Sequence, residues 1–217
     1  MSDVHAPPEA VIAVQDAAQF QALTGATDSQ MADLERFRAM LEAGNAVMNL
    51  VGPATLPDFW NRHAWDSAQL LRLAPNALTW ADLGAGAGFP GLVLAILLKG
   101  TPGATIHLVE SMAKRCRFLD QVATELALPT EIHNARAEDL SLSVDIVTAR
   151  ACAPMVRLLG YAQPYFKRRA RGLFLKGQDV VTELNEASTS WTIKARLIPS
   201  LSDARGQIVD VESLARA

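Results

Sequence analysis

The sequence contains little cysteine and no long apolar run. Its 217 residues include two cysteines, Cys116 and Cys152, which are too few and too far apart for a disulfide framework or a zinc site, so we expect reduced thiols. No segment approaches the roughly 18 apolar residues of a membrane span, and the opening residues MSDVHAPPEA lack the basic and apolar regions of a secretion signal. These absences predict a cytoplasmic protein with no membrane partner.

A strong positive charge is also missing. The formal net charge is −3 and the pI is about 5.8, so a nucleic acid would have to bind a local basic patch. The overall charge therefore neither supports nor excludes RNA. We predict no metal site, because the four histidines show no ligand spacing; they are His5, His63, His107 and His133.

Three segments differ in pattern along the chain. Residues 1–10 offer little to bury and are expected to be a disordered tail. Residues 11–76 read as a helical extension with a helix ending at Gly25, a second helix that begins at a capping box of Thr27 and Gln30, and a third stopped by Pro75. The second helix carries an apolar stripe that must pack on another part of the protein, formed by Met31, Leu34, Phe37 and Leu41.

Residues 77–217 alternate strand-like and helical runs. The short runs LTWADLG, ATIHLVE, TEIHNA, SVDIVTAR and RGLFLK are separated by helical patterns, which is typical of an α/β fold with a mostly parallel sheet covered by helices on both faces. WTIKARLIPSL and GQIVDVESLA predict a terminal antiparallel pair of strands. We treat 77–217 as one structural unit.

A glycine-rich stretch, WADLGAGAGFPG at residues 80–91, follows the first strand of this unit. Ligands of such sheets bind outside the carboxyl ends of the strands, and glycine permits positive φ and close approach of a cofactor. From Gly86 the stretch fits the dinucleotide fingerprint of a dehydrogenase, with Glu110 placed to take ribose hydroxyls. From Asp82 it spells D-x-G-x-G-x-G, which resembles the first motif of class I S-adenosylmethionine-dependent methyltransferases.

The methyltransferase resemblance implies positions for the cofactor. In that family the glycine turn wraps the methionine part and the acidic residue after the second strand, here Glu110, holds the ribose. The segment ARAED resembles the adenine-binding turn. The cofactor residues implied are Asp82, Gly84, Gly86, Gly88, Phe89, Glu110, Ala137, Glu138 and Arg150.

Missing motifs limit which atom could be methylated. Enzymes that methylate exocyclic amines carry Asn/Asp-Pro-Pro-aromatic after the fourth strand, where this chain has TARACAPM. Cys152 lacks the Pro-Cys neighbourhood of a pyrimidine C5 nucleophile and is better explained by packing. Guanine N7 carries an available lone pair and needs no base, so it becomes an attractive acceptor.

Seven segments together resemble one family. MNLVGP, HAWDS, DLGAGAGFPG, ESMAKRCRFL, ARAEDL, DIVTARACAP and LFLKGQ are similar, in order and interval, to the bacterial 16S ribosomal RNA guanine-N7 methyltransferase G family, also called glucose-inhibited division protein B. The resemblance implies a class I (Rossmann-like) fold, S-adenosylmethionine as cofactor, and 16S rRNA in the small ribosomal subunit or its assembly intermediate as partner. A monomer is expected.

The same resemblance implies catalytic and RNA-binding residues. Asp66, His63 and Arg150 would position the target guanine without a general base, and Phe89 or Trp65 would stack on it. Residues expected to contact RNA are Asn49, Arg62, His63, Lys114, Arg115 and Lys176, with a further basic segment at 167–171. Two alternatives stay open, a small-molecule methyltransferase and a non-catalytic rRNA-binding or regulatory protein.

Overall fold

The computed structural model describes residues 10–217, so the predicted tail lies outside the described residues except for its last position. The amino-terminal part is helical, as expected. Its segments are α1 (Ala17–Thr24), α2 (Asp28–Met48), a 3-10 turn (Pro53–Thr55), a π-helix (Phe59–Trp65) and α3 (Asp66–Leu73). No helix within residues 10–217 is long and apolar enough to cross a membrane.

Local signals explain the ends of the first two helices. Gly25 ends α1 in the left-handed region at φ 69°, which glycine adopts without a Cβ clash. Thr27 and Gln30 form both halves of the predicted capping box at the start of α2. The apolar stripe of α2 is buried, which confirms the prediction that it packs on another element. The predicted third helix is split between the π-helix and α3.

Seven strands form one sheet in the order β3-β2-β1-β4-β5-β7-β6. Strands β1 to β5 are parallel and β7 runs antiparallel between β5 and β6, which confirms the predicted terminal pair. Their bounds are β1 (Thr79–Leu83), β2 (Thr105–Glu110), β3 (Thr130–Asn134), β4 (Ile146–Arg150), β5 (Arg171–Lys176), β6 (Trp191–Pro199) and β7 (Gln207–Arg216). Strands β2 and β3 are added on one side of β1, and strands β4 and β5 on the other. This change in the order of strands lies between β1 and β4, so a ligand site is expected at the carboxyl ends of these two strands.

Four further helices cover the sheet, namely α4 (Gly91–Leu97), α5 (Ala113–Glu125), α6 (Met155–Phe166) and α7 (Val180–Ala187). One hydrophobic cluster joins α4 and α5 to α2 and the π-helix, and a second joins α6 and α7 to the sheet. The helical extension therefore shares a core with the sheet. The division between residues 76 and 77 stays a prediction.

Candidate active site

The glycine turn after β1 is built from residues with positive φ. Gly84, Gly86 and Gly88 have φ values of 69°, 56° and 96°, conformations that L side chains rarely adopt. A Cβ would lie 2.7 Å from Cys152 Sγ at Gly84 and 2.2 Å from Leu92 Cδ1 at Gly88, whereas at Gly86 its nearest neighbour would be a carbonyl oxygen at 3.6 Å. Gly84 and Gly88 are thus required by packing within the protein, whereas a side chain at Gly86 would meet no clash with another residue.

Two carboxylates accept hydrogen bonds from backbone amides of this turn and of the helix that follows it. Asp82 is fully buried, and its Oδ2 accepts a hydrogen bond from the Gly91 amide at 2.8 Å, while its Oδ1 is buried without a partner. Burial raises the pKa of Asp82 to about 7. Glu110 accepts from the Gly86 amide at 3.0 Å and from the Met112 amide at 2.8 Å, so its carboxylate fixes the turn to the end of β2.

A cleft of about 630 Å³ opens beside the turn, at the carboxyl ends of β1, β4 and β5. Its walls come from the glycine turn, the 3-10 turn and π-helix, the end of β5 and the β6–β7 loop. Five cationic side chains line it, against three acidic ones. The cations are Arg62, Arg115, Arg150, Lys176 and Arg205, and the acids are Asp66, Glu183 and Asp203. The cleft is therefore a local positive region on a chain of net charge −3.

Arg150, the last residue of β4, joins the sheet to the π-helix. Its guanidinium donates to the Arg62 carbonyl at 2.8 Å, to His63 Nδ1 at 3.0 Å and to Asp66 Oδ2 at 3.3 Å. It also lies 4.8 Å from the centre of the Phe89 ring, a distance at which cation and ring attract. The planar fork of arginine suits this set of acceptors.

His63 is buried between these groups and is neutral. Arg150 donates to its Nδ1, which leaves Nε2 to donate to Thr55 Oγ1 at 3.0 Å. Its ring stacks on Phe89 at 4.6 Å. Burial, with the charges of Arg150 and Arg62, lowers the pKa of His63 to about 3. Both ring nitrogens are therefore occupied and the ring is a weak base.

Asp66 connects the same network to the β6–β7 loop. Its Oδ1 accepts from Ser202 Oγ at 2.6 Å and from Gln69 Nε2 at 3.1 Å, and Oδ2 faces Arg150. Gln69 in turn accepts from the Leu201 amide at 2.8 Å. Sequence reasoning missed this loop because its residues lie more than 130 positions from Asp66 and carry no motif of their own.

Comparison with known proteins identifies this arrangement. A family model described as rRNA small subunit methyltransferase G matches residues 30–209. A Caulobacter species protein named Ribosomal RNA small subunit methyltransferase G is 73% identical over 199 residues, covering 92% of this chain and 90% of the relative. The Caulobacter vibrioides protein of the same name is 64% identical over 214 residues, covering 99% and 98%.

The chain belongs to the rRNA small subunit methyltransferase G family. This confirms the predicted family, the enzyme class and the S-adenosylmethionine dependence, and it leaves the dehydrogenase interpretation without support. A S-adenosylmethionine-dependent methyltransferase from Aquifex aeolicus has a similar fold, with a TM-score of 0.55 and 14% identity, covering 77% of this chain and 96% of that one. That likeness, with the strand order, confirms the predicted fold class.

Residues expected at the adenine end lie apart from the cleft lining. Ala137 is buried in the 3-10 turn Ala137–Asp139, and its carbonyl accepts from the Tyr165 hydroxyl at 3.2 Å. Glu138 is exposed and pairs with Arg136 at 3.5 Å. Neither residue lines the cleft, nor do Asp82, Gly88 and Glu110, so a cofactor role for them stays a prediction.

The expected RNA-binding residues fall into different environments. Arg62 and Arg115 line the cleft. Lys176 also lines it, but its ammonium is held by Glu183 at 2.6 Å and by the Ala153 carbonyl. Lys114 is exposed outside the cleft. Asn49 ends α2 with φ 49°, which gives it a structural reason to be asparagine.

Two stacking and binding expectations need correction. Trp65 and Phe89 are both buried, with 1% and 3% of their surfaces exposed, so neither can stack on a base without rearrangement, although Phe89 lines the cleft. The basic segment 167–171 ends at Arg171, the first residue of β5, and therefore lies at the amino end of this strand, opposite the cleft; Arg171 is paired there with Asp210. Arg205, which sequence reasoning did not single out, is an exposed cation at the cleft, as is Arg62.

Cys152 lies against the glycine turn as a thiol. Burial, together with the charges of Asp82 and Glu110, raises its pKa to about 11, so it is protonated near neutral pH and a poor nucleophile. This agrees with its interpretation as a packing residue.

Two of the histidines meet in the fold although their spacing along the chain shows no ligand pattern. Across β2 and β3 the fold brings together His107, Glu131 and His133, whose ligand atoms lie within 4.8 Å of one another. Spacing along the chain could not show this, because the residues come from two strands separated by a helix.

Proposed function

We propose that this protein transfers the methyl group of S-adenosylmethionine to N7 of a guanine in 16S rRNA, within the cleft at the ends of β1, β4 and β5. Family membership supports the reaction and the substrate class. The observation that carries the proposal is the combination, in one cleft, of an open glycine turn and an excess of cationic side chains.

The glycine turn fits the cofactor. Gly86 lines the cleft, and a Cβ built there would make only an ordinary contact, at 3.6 Å from the Gly84 carbonyl oxygen. We assign Gly84, Gly86 and Phe89 to the methionine end and Glu110 to the ribose. Gly88 and Asp82 support the turn from within, and Ala137 and Glu138 would hold the adenine. When bound, S-adenosylmethionine supplies a methyl group already activated by the sulfonium.

The titration behaviour of the site favours an acceptor that needs no base. His63 has a pKa of about 3 and both ring nitrogens engaged, and Cys152 has a pKa of about 11. Neither can take a proton from the substrate near neutral pH. Guanine N7 attacks through its lone pair, so the task of the protein is to align the base with the methyl group.

Arg150, His63 and Asp66 are proposed to perform that alignment as positioning residues. Arg150 and His63 pack against the ring of Phe89, which lines the cleft. Asp66 lines the cleft as well, and a carboxylate there would offset the positive charge that methylation leaves on the imidazole ring of guanine. The shared network keeps these groups fixed before the base enters.

Arg62, Arg115 and Arg205 are proposed to contact RNA phosphates, because they line the cleft. Arg62 and Arg205 pair with Asp203 and Arg115 pairs with Glu110, but these arginine side chains are 51%, 73% and 33% exposed, against 11% for Lys176. Lys176, Lys114 and Asn49 are weaker candidates for the reasons given above. We propose that the protein acts as a monomer. The proposed reaction uses no metal ion, and it takes place in the cytoplasm, where small subunits assemble.

Labelled methyl transfer tests the proposal. The protein is incubated with labelled S-adenosylmethionine and small ribosomal subunits from a strain lacking the enzyme, with naked 16S rRNA in parallel, and the product nucleoside is identified by mass spectrometry. We expect 7-methylguanosine from one or both substrates. Incorporation into another nucleoside, or none despite measurable cofactor binding, would contradict the proposal and favour another acceptor.

A further inference from the structure

Three side chains with metal-binding atoms meet on two neighbouring strands. In the parallel pair β2–β3, His107 is paired with Glu131 and Val109 with His133. Successive residues of a strand point to opposite faces, so Glu131 and His133 share a face, and their in-register neighbour His107 shares it with them. The sheet itself thus fixes the cluster.

The distances between the ligand atoms match those around one metal ion. His107 Nδ1 lies 3.1 Å from His133 Nε2 and 3.4 Å from Glu131 Oε2, and His133 Nε2 lies 3.9 Å from the same oxygen. A point in the plane of these three atoms lies about 2.0 Å from each, which is the length of zinc bonds to histidine and carboxylate. One ion could therefore contact all three groups without a backbone movement.

The cluster is accessible and lies outside the active site. Side-chain exposure is 61% for Glu131 and 22% for His133, against 13% for His107, so an ion can enter from solvent past the carboxylate. None of the three residues lines the cleft. Within residues 10–217, β3 is an edge strand that pairs only with β2.

We propose that His107, Glu131 and His133 form a binding site for a divalent transition-metal ion, with Zn²⁺ as the best match. Two imidazoles and one carboxylate suit this ion, and water completes its coordination. The ion would tie the edge strand β3 to β2 and so stabilise the sheet. This role is independent of methyl transfer.

A simpler arrangement makes a different prediction. Without an ion, one histidine ring donates a hydrogen bond to the other, and Glu131 accepts from whichever ring is protonated. Such a cluster would have no more affinity for a metal ion than scattered surface histidines, and Glu131→Gln would not alter metal binding.

Titration of metal-free protein with zinc chloride, followed by calorimetry, tests the site. We expect one ion per chain and a melting temperature that rises with zinc concentration, because the ion binds the folded state. His133→Gln should weaken binding at least tenfold, and Glu131→Gln should weaken it measurably, whereas Glu186→Gln, an exposed change on α7, should leave it unaltered.

Cobalt(II) gives a second readout of the same ligands. Cobalt(II) absorbs visible light much more strongly when it is bound with a low coordination number than when it is free in water. We expect these absorption bands in the wild type and in Glu186→Gln but not in His133→Gln. Far-UV circular dichroism of the metal-free variants checks the fold, and the exposed Glu131 carries the test if His133→Gln fails to fold. No stoichiometric binding, or binding unchanged in both cluster variants, would overturn the proposal.

Discussion

Arg150 is the residue on which the geometry of the active site depends. It is the end of β4, yet its three hydrogen-bond acceptors all belong to the π-helix and the first residue of α3. Its loss would remove the donor from His63 Nδ1, the Arg62 carbonyl and Asp66 Oδ2, and buried acceptors are costly to leave unpaired. Arg150 thus both stabilises the amino-terminal helical extension on the sheet and fixes the orientation of the active-site side chains.

Arg150→Lys keeps the charge but loses the planar fork. We expect the free energy of unfolding to fall by about 1–3 kcal/mol and methyl transfer to small subunits to slow by roughly 100-fold, as for a misaligned reactant. A parallel fall in cofactor affinity would show that Arg150 also binds the cofactor, as the family resemblance implies. Urea unfolding, transfer rates and calorimetry measure these. Arg157→Lys, at an exposed position of α6, is the control. Wild-type transfer by Arg150→Lys would remove the positioning role.

Residue identities at the site were predicted better than residue environments. The motif resemblance placed His63, Asp66 and Arg150 near one another, and the structure brings them into hydrogen-bonding contact. It could not show that His63 and Trp65 would be buried, because a π-helix turns side chains by a different angle from an α-helix and has no sequence signature here.

At the scale of elements, the turn between β1 and α4 combines a fixed frame with one open position. Asp82 and Glu110 hold its amides, and Gly84 and Gly88 are enclosed by other side chains. Of these three glycines, only Gly86 could carry a Cβ without a clash, at 3.6 Å from the nearest atom. This separates residues that build the turn from the one over which a cofactor can lie.

Gly86→Ala should therefore affect binding more than folding. Alanine at φ 56° costs about 1–2 kcal/mol of stability, and its methyl group would occupy space needed by the cofactor. We expect the affinity for S-adenosylmethionine to fall at least tenfold. Gly25→Ala, at φ 69° with no atom within 4 Å of the added Cβ, is a matched control with the same backbone strain. Equal affinities in the two variants would contradict the assignment.

The buried carboxyl of Asp82 makes stability depend on pH. Its pKa rises from 3.8 in the unfolded chain to about 7 in the fold, so the folded state holds a proton that the unfolded state has lost. The resulting stabilisation is complete below about pH 4, declines as pH rises, and is gone above about pH 7.

Asp82→Asn removes this titration. Between pH 4 and 8 the unfolding free energy of the wild type should fall relative to the variant, by up to about 4 kcal/mol for a shift of this size. Urea unfolding of both proteins across the range measures the difference. A difference that stays constant with pH would show that Asp82 ionises normally.

Elements were largely predictable from the sequence, and their juxtaposition was not. The capping box, the stop at Gly25 and the alternation of strands and helices are local patterns that survive in the structure. Local sequence patterns do not predict which loops will be neighbours in the folded protein. The β6–β7 loop at the cleft and the histidines of β2 and β3 meet only because distant segments are neighbours in the sheet.

For the whole molecule, charge distribution matters more than net charge. The chain carries −3 overall, while its cleft has two more cations than acids. A polyanion is thus attracted to one region and repelled by the rest, which orients it during encounter. The composition alone left RNA binding open, and the fold supplies the local concentration of charge.

Arg205→Gln tests this distribution. Its side chain is exposed at the cleft, so we expect weaker RNA binding and a shallower dependence of log K on log salt, by about one charge, with cofactor affinity unchanged. Lys167→Gln removes an equal charge before β5, at the opposite end of the sheet, and should leave the slope as in the wild type. If Lys167→Gln and Arg205→Gln behaved alike, the RNA would not be bound at the cleft.

Mapping of 7-methylguanosine along 16S rRNA tests the central claim most directly. Borohydride reduction followed by aniline cleaves RNA at this nucleoside, and the fragments identify its position. We predict one cleavage in rRNA from cells with the wild-type protein that disappears in cells lacking it and weakens strongly with Asp66→Asn, which removes the carboxylate charge at the cleft. A cleavage pattern that does not change when the protein is lost would contradict the account.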